Sequence, residues 1–130
     1  MEEMINGLNA LEVQIGGDHY KRNAYQPIEL ITKLDCTFIQ GCIIKYITRY
    51  RLKNGLQDIN KCIHYAALAK ELNDCRIHNA INISVEVNKY AEQNNLTIIQ
   101  RRVIIAALTN NYGTVVDLCN RLINIEYIAR

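Results

Sequence analysis

Residues 38–56 read FIQGCIIKYITRYRLKNGL, and this stretch decides the fold. From Phe38 to Tyr50 its apolar side chains recur every three or four positions, which is the period of an α-helix. The stretch ends in a basic turn followed by Asn54-Gly55, and glycine tolerates the positive φ with which many helices end. The sequence therefore predicts a helix near residues 38–53.

A second stretch with the same period follows at once and predicts a helix near residues 57–74. Its inward-facing side chains are predicted to be Ile59, Cys62, Ile63, Ala66 and Leu72. Because the link at Gly55-Leu56 is so short, the two helices must pack side by side in opposite directions. We therefore predict a central antiparallel helix hairpin.

Helical signals also occur on both sides of this hairpin. Pro27 suits the first position of a short helix, because its fixed φ matches the helical backbone. Thr97-Ile98-Ile99-Gln100 matches a capping box and predicts a helix that continues to about Leu108. Thr114 predicts the start of a last helix, which we expect to continue to about Ile128.

The segment before Thr97 allows two interpretations. Apolar and polar residues alternate from Ile81 to Val87, which is typical of a β-strand. The same segment also fits one face of a helix, formed by Ile83, Val87, Tyr90 and Ala91. We favour the helix, because a lone strand would have no partner.

The composition agrees with a helical protein. Apolar residues make up 49% of the chain and charged residues 22%, which is ordinary for a globular domain. One proline and six glycines are few for a fold of many short strands, because such folds need turns. We therefore predict one compact all-α domain over residues 1–130, in which a C-terminal helical group at 76–130 follows a first part at 15–75. No internal repeat is evident in the sequence.

Charge and hydropathy argue against several classes of protein. The formal net charge of +2 is far below that of most dedicated nucleic-acid-binding domains, so we expect no specific nucleic-acid partner. No apolar run is long enough to span a bilayer. The acidic start Met1-Glu2-Glu3-Met4 lacks the basic and apolar segments of a signal peptide. We therefore expect a cytoplasmic protein without a membrane partner.

The cysteines do not have the spacing of a metal site. The chain contains Cys36, Cys42, Cys62, Cys75 and Cys119. No two of them form a Cys-x-x-Cys pair, whereas zinc needs several closely spaced ligands. We therefore interpret them as core residues and predict neither a metal nor a cofactor.

The first candidate binding element is a pair of cations on the first central helix. Lys45 and Arg49 lie four residues apart and therefore share one helix face. Two such cations can hold a phosphate or diphosphate, and arginine can do so with two parallel hydrogen bonds. Gly41 leaves room for close approach, and Tyr46 or Tyr50 can stack on a base. The alternative interpretation is a solvated charged face without a ligand.

The second candidate binding element is the loop Gly16-Gly17-Asp18-His19-Tyr20-Lys21. Its glycines let backbone N–H groups approach a ligand, and the following side chains add hydrogen-bond donors and an aromatic ring. The positive end of the helix that begins at Pro27 is expected to face this loop. The alternative interpretation is a tight turn whose polar side chains bond only to the local backbone.

The motifs of several enzyme classes are absent from the sequence. There is no Gly-x-x-x-x-Gly-Lys-Ser/Thr phosphate loop and no nucleophile elbow. The carboxylates do not show the paired spacing on helices that would hold Mg²⁺. Asp58 and Lys61 lie three residues apart and are interpreted as an ion pair, and His64 as an ordinary helix residue.

Several short motifs together resemble a known family. They are Gly16 to Tyr20, Gln26-Pro27-Ile28-Glu29, Gly41 to Tyr50, Asn54-Gly55, Asp58 to Lys61, and His64-Tyr65. In this order they resemble the SaV-like family of small phage proteins, which also includes a nucleotide kinase of a T-odd coliphage. The resemblance covers residues 15–72 and implies a phage or prophage origin and nucleotide handling without a P-loop. The family usually has Asn where this chain has Cys42, which puts a catalytic role of that position in doubt.

Two hypotheses for the function follow, and we favour binding over catalysis. The leading one is a sponge that sequesters a cyclic or ADP-ribose-type nucleotide of host immunity, by analogy with phage proteins of similar size and helical content. The alternative is a nucleoside monophosphate kinase-like enzyme, and a third possibility is a regulatory protein that binds a host protein. We also expect a homo-oligomer formed through Val85 to Ile128, because small helical chains often bury surplus apolar surface between subunits.

Overall fold

The computed structural model describes residues 10–12 and 25–128, and its helices follow the chain in a simple order. Its α-helices are α1 (Pro27–Lys33), α2 (Phe38–Arg49), α3 (Leu56–Leu72), α4 (Ala80–Gln93), α5 (Ile98–Leu108) and α6 (Tyr112–Ile123). A short 3₁₀ turn at Ala10–Glu12 precedes them and a π-helical turn at Asn124–Ile128 follows them. The described residues contain no strand, so the predicted all-α class is confirmed.

Helices α2 and α3 form the predicted antiparallel hairpin. Near its turn, Arg49 on α2 contacts Asp58 on α3, and farther along the thiol of Cys62 donates to the carbonyl of Ile43. At the open end the ring of Phe38 meets the ring of Tyr65. Residues nearer the N-terminus of α2 therefore contact residues nearer the C-terminus of α3, as in an antiparallel pair. The turn between them contains Gly55 with a φ of +53°, as its sequence indicates.

One apolar core joins all six helices. Its fully buried members include Leu30 on α1, Ile43 on α2 and Ile59 on α3. The C-terminal helices contribute Val87 and Val103, together with further residues of α6. None of the described helices combines the length and apolar character needed to cross a membrane.

The second half of the described chain repeats the local structure of the first half. Asp35 after α1 has a φ of +52°, and Asn95, 60 positions later after α4, has a φ of +51°. Two residues farther on, Thr37 caps α2 and Thr97 caps α5, each by accepting a hydrogen bond from the backbone N–H of a glutamine. The structure thus contains two three-helix units, α1–α3 and α4–α6, which the sequence did not reveal.

Two buried glutamines join the units reciprocally. Gln40 on α2 donates its side-chain N–H to the carbonyl of Ala107 on α5, over 3.2 Å. Gln100 on α5 donates to the carbonyl of Ile47 on α2, over 2.9 Å. Because the donors and the acceptors both correspond under the shift of 60 positions, α2 and α5 pack around an approximate two-fold axis.

Several details differ from the expectations. Phe38 and Leu72 have the helical period of core residues, but their side chains are 77% and 68% exposed. The last α-helix begins at Tyr112 rather than Thr114, because Asn111 takes the N-cap position. The α-helix ends at Ile123 rather than near Ile128, and the π-helical turn Asn124–Ile128 follows it. The segment for which helix was favoured over strand is indeed a helix, α4.

Candidate functional site

Three cations surround the ring of Tyr46 in the middle of α2. The Lys45 ammonium lies 5.2 Å from the ring centroid, the Arg49 guanidinium 4.7 Å and the Lys61 ammonium 4.8 Å. Each distance is within the range of a cation–π interaction. Together with Tyr65, whose ring stacks on Tyr46, these residues form what we call the Tyr46 cluster.

The helix hairpin brings the members of this cluster together. Lys45 and Arg49 are one helical turn apart on α2, as their spacing predicts. Lys61 and Tyr65 are likewise one turn apart on α3, and the antiparallel packing places them opposite Tyr46. Lys61 and Tyr65 are not among the binding residues predicted from the sequence. Their shared spacing of four residues on the facing helix was the available signal.

Aromatic rings extend the cluster along the hairpin. The rings of Tyr46 and Tyr65 lie 6.0 Å apart with 14° between their planes, which is a stacked arrangement. Phe38 then meets Tyr65 edge to face at 6.2 Å, and it is largely exposed. A ligand at the cluster therefore meets positive charges and flat apolar rings side by side.

Arg49 is the most deeply placed cation of the cluster. Its side chain bonds through Nε and Nη2 to the two carboxylate oxygens of Asp58, over 3.0 and 3.1 Å. Asp58 is fully buried, and Arg49 is 7% exposed. The predicted Asp58–Lys61 ion pair is therefore wrong, because burial favours the two parallel bonds that only a guanidinium can make. Lys61 instead turns to Tyr46.

Tyr50 occupies the core rather than the surface of the Tyr46 cluster. Its ring is 1% exposed, and its hydroxyl donates to the carboxylate of Glu126 over 3.0 Å. Burial and the bond to Glu126 raise the pKa of the Tyr50 hydroxyl. Of the two tyrosines predicted to stack on a base, only Tyr46 is thus in the cluster.

Cys42 borders the cluster one turn before Tyr46. Burial raises the pKa of its thiol, while a hydrogen bond with Tyr65 and the charge of Lys45 act in the opposite direction. The same hydrogen bond is the largest cause of a raised pKa of the Tyr65 hydroxyl. At neutral pH both groups are therefore protonated, and Cys42 acts as a neutral polar neighbour of the cluster.

Gly41 serves the packing of helices and not the approach of a ligand. A Cβ at this position would lie 3.2 Å from Cγ2 of Ile31, so Gly41 lets α1 pack closely on α2. The expectation that Gly41 leaves room beside Lys45 and Arg49 for a ligand is therefore wrong.

The predicted loop Gly16-Gly17-Asp18-His19-Tyr20-Lys21 lies outside the described residues. The chain that follows it is held at Tyr25. The hydroxyl of Tyr25 donates to Glu86 over 2.9 Å, and its ring meets Tyr90 edge to face at 5.2 Å.

Two concave surfaces lie near the hairpin. The smaller one, which we call the α1–α2 groove, has a volume of about 250 Å³ and is lined by Gln26, Pro27, Ile28, Ile31 and Lys45. The larger one, which we call the polar cleft, has a volume of about 470 Å³. It is lined by Thr48, Arg51, Leu52, Gln93, Asn94, Asn95, Leu96 and Gln100. Only the α1–α2 groove includes a member of the Tyr46 cluster.

The side chains that could ligate a metal are dispersed over the part of the chain that the structure describes. No group of three histidine, cysteine, aspartate or glutamate residues converges there. The cysteines are unpaired thiols. Cys62 and Cys119 are buried as predicted, whereas Cys75 is exposed.

Fold and cluster together define a small all-α protein with a cationic, aromatic surface on one helix hairpin. Residues 16–67 match the model of a family described only as a protein of unknown function, DUF3310. The matched segment contains the predicted glycine loop and every residue of the Tyr46 cluster, and it ends within α3. No curated protein and no solved structure matches the chain significantly.

Proposed function

We propose that this protein binds and sequesters a nucleotide through the Tyr46 cluster. The observation that carries the proposal is the convergence of Lys45, Arg49 and Lys61 on one aromatic ring. Asp58 balances the charge of Arg49, but Lys45 and Lys61 still place two like charges near one ring, and an anion relieves their mutual repulsion. Rings beside the charges favour an anion that also has a flat, apolar part, which is the chemistry of a nucleotide.

Lys45 and Lys61 are the cations placed to contact the phosphates. Both are partly exposed, and they approach Tyr46 from different helices. A hydrogen bond from a charged donor contributes roughly 1.5–3 kcal/mol, so two such contacts supply roughly 3–6 of the about 8 kcal/mol of a micromolar affinity. Arg49 is more deeply buried and paired with Asp58, so it contacts the ring of Tyr46 but is not proposed to contact the phosphates.

The chemistry of Asp58 favours sequestration over phosphoryl transfer. Phosphoryl transfer uses carboxylates near the phosphates to hold a metal ion. Asp58, on the helix that carries Lys61, instead directs both its oxygens at Arg49. Its carboxylate is thus occupied by an ion pair and is not placed to hold a metal ion at the phosphates.

In the sequence, the predicted glycine loop ends at Lys21, shortly before Tyr25, which is anchored on α4. Gln26 and Pro27, which follow that anchor, line the same groove as Lys45. We propose that Gly16 to Lys21 supply backbone N–H groups and side-chain donors to the bound nucleotide.

The resemblance to small phage proteins suggests which nucleotide is bound. We propose a cyclic or ADP-ribose-type signal of host immunity, held so that host enzymes cannot respond to it. The kinase-like alternative rests on the same resemblance, because that family includes a nucleotide kinase. In either case Lys45 and Lys61 contact phosphates, so only the fate of the ligand separates the two hypotheses.

A binding experiment followed by recovery of the ligand tests this proposal. The full chain is titrated with cyclic ADP-ribose and with ADP-ribose in EDTA, and the ligand is released by heat and identified by liquid chromatography. We expect binding without Mg²⁺ and recovery of the unchanged nucleotide. Phosphate transfer from ATP to a nucleoside monophosphate would instead support the kinase-like alternative. If the protein bound neither cyclic ADP-ribose nor ADP-ribose, the proposal would be refuted.

A further inference from the structure

The α1–α2 groove adjoins the Tyr46 cluster through Lys45. The ammonium of Lys45 lies over the ring of Tyr46, and its side chain also forms one wall of the groove. An anionic group bound to Lys45 therefore has two neighbouring surfaces, the tyrosine rings on one side and the groove on the other.

The walls of the groove are apolar and shaped by helix packing. Ile28 on α1 is 54% exposed, and Ile31 lies one turn farther along and packs against Gly41. Pro27 is buried and also lines the groove. Because Gly41 draws α1 close to α2, the isoleucines stand beside Lys45 rather than away from it.

The size of the groove indicates what it holds. Sites for whole small molecules occupy about 300–1,000 Å³. The groove has a volume of about 250 Å³, so it suits one ring system rather than a complete dinucleotide. Lys45 is the only charged residue among the described residues that line it, so an uncharged planar group fits the rest of its surface.

We propose that the α1–α2 groove is the base subsite of the nucleotide-binding site. This inference rests on the proposed function and deepens it. The ligand is a nucleotide whose phosphate contacts Lys45 and whose base lies between Lys45 and the isoleucines of α1. Affinity then depends on the base as well as on the phosphates, and the protein discriminates a nucleotide from pyrophosphate or a sugar phosphate.

Substitution of Ile28 tests the contribution of the base to affinity separately from that of the phosphates. Ile28→Ala removes apolar surface from the groove without touching a cation, and Ile28 is exposed enough that the fold is preserved. Its affinity for ADP-ribose is expected to fall about three- to tenfold, from the loss of part of the contact area of one side chain. Its affinity for inorganic pyrophosphate is expected to stay the same.

Ile98→Ala is the matched control, because Ile98 is also an exposed isoleucine in the first turn of a helix, far from the groove in the sequence. It should change neither affinity. Calorimetry with ADP-ribose, ribose 5-phosphate and pyrophosphate is carried out on each full-length variant, and thermal denaturation confirms that the variants are folded.

The outcomes distinguish this inference from the proposed function. If Lys45→Ala weakens both ADP-ribose and pyrophosphate while Ile28→Ala weakens neither, the groove is not the base subsite, although the cluster still binds phosphate. The same conclusion follows if Arg51→Ala, in the polar cleft, lowers the affinity for ADP-ribose and Ile28→Ala does not. If the unmodified protein binds neither compound, the proposed function fails together with the inference.

Discussion

Residues 25–72 and residues 80–123 build similar three-helix units, but they differ in the side chains on the middle helix. Where α2 carries Lys45, Tyr46 and Arg49, the corresponding positions 60 residues later are Ile105 and Ala106 on α5 and its C-cap residue Thr109. The second unit thus forms its middle helix without any of these cations or rings. Lys45 and Tyr46 are therefore not required for such a middle helix to form, which supports their role in binding, whereas Arg49 also pairs with the buried Asp58.

What the two units share is the chemistry that the fold needs. Thr37 and Thr97 cap the middle helices, and their partners Gln40 and Gln100 cross to the other unit. Buried aliphatic residues also correspond, as for Ile44 and Ile104, which are both fully buried. The family match ends at residue 67 and so covers the unit with the Tyr46 cluster.

The largest effect is expected from Arg49→Ala. This change leaves the fully buried carboxylate of Asp58 without its guanidinium, and loss of one partner of a buried ion pair costs about 3–5 kcal/mol in the free energy of unfolding. Thr109→Ala, at the corresponding position of α5, should cost under about 1 kcal/mol because Thr109 carries no charge. Urea denaturation measures both.

A double variant tests the cause of this instability. Arg49→Met combined with Asp58→Leu replaces the pair by apolar groups and should recover much of the lost stability. If Arg49→Ala costs less than about 1 kcal/mol, the pair has no structural role.

The next effect is on ligand binding. Lys45→Ala and Lys61→Ala should each weaken nucleotide binding about ten- to hundredfold, because each removes a charged donor worth roughly 1.5–3 kcal/mol. Both side chains are partly exposed, so thermal stability should change little. Lys70→Ala on the exposed face of α3 is the control and should bind normally. Unchanged affinity in both cluster variants, measured by calorimetry, would show that the site lies elsewhere.

The glycine loop contributes a second, smaller test of binding. His19→Ala and Tyr20→Ala should also weaken binding of the nucleotide, since the loop is proposed to supply donors and a ring. The fold of the described residues should be unaffected, which circular dichroism checks. Normal affinity in both variants would restrict the site to the helix hairpin.

The two crossing glutamines should have comparable effects on stability. Gln40→Ala and Gln100→Ala each remove a capping partner and a hydrogen bond to a buried carbonyl, at a cost of about 1–3 kcal/mol each. Gln40→Ala should cost more, because Oε1 of Gln40 also contacts Nε2 of His78 at 3.0 Å. If only one of the two changes affects urea denaturation, the units are not joined symmetrically.

Buried tyrosines in both units predict a loss of stability at alkaline pH. Burial raises the pKa of Tyr25, Tyr50 and Tyr112 above the ordinary value, and bonds to carboxylates raise it further. Above about pH 10 the unfolded chain loses these protons while the folded chain keeps them, so stability must fall as pH rises. Tyr50→Phe and Tyr112→Phe should each flatten this decline. If both variants lost stability at alkaline pH as steeply as the unmodified protein, the buried tyrosines would not be the cause of the decline.

Local chemistry explains how much of this structure the sequence could predict. The hairpin, the Thr97 capping box and the turn at Gly55 depend on neighbouring residues, so their signals are in the sequence itself. The partner of Asp58 depends on burial, which spacing along one helix does not reveal. The spacing of Lys45 and Arg49 likewise predicted a shared face but gave no sign of Lys61, which the facing helix contributes.

Helix α4 begins at Ala80, which is earlier than the residue that corresponds to the start of α1 under the shift of 60 positions. The additional turns of α4 carry Ile81 and Val85, which are 73% and 59% exposed, and Ile77 just before the helix is 88% exposed. Because apolar surface of this kind favours association, we expect a dimer or larger oligomer in solution. Ile81→Asp with Val85→Asp should yield monomers, whereas Ile98→Asp should not. A monomer of 15.0 kDa in light scattering of the unmodified protein at micromolar concentration would contradict this prediction.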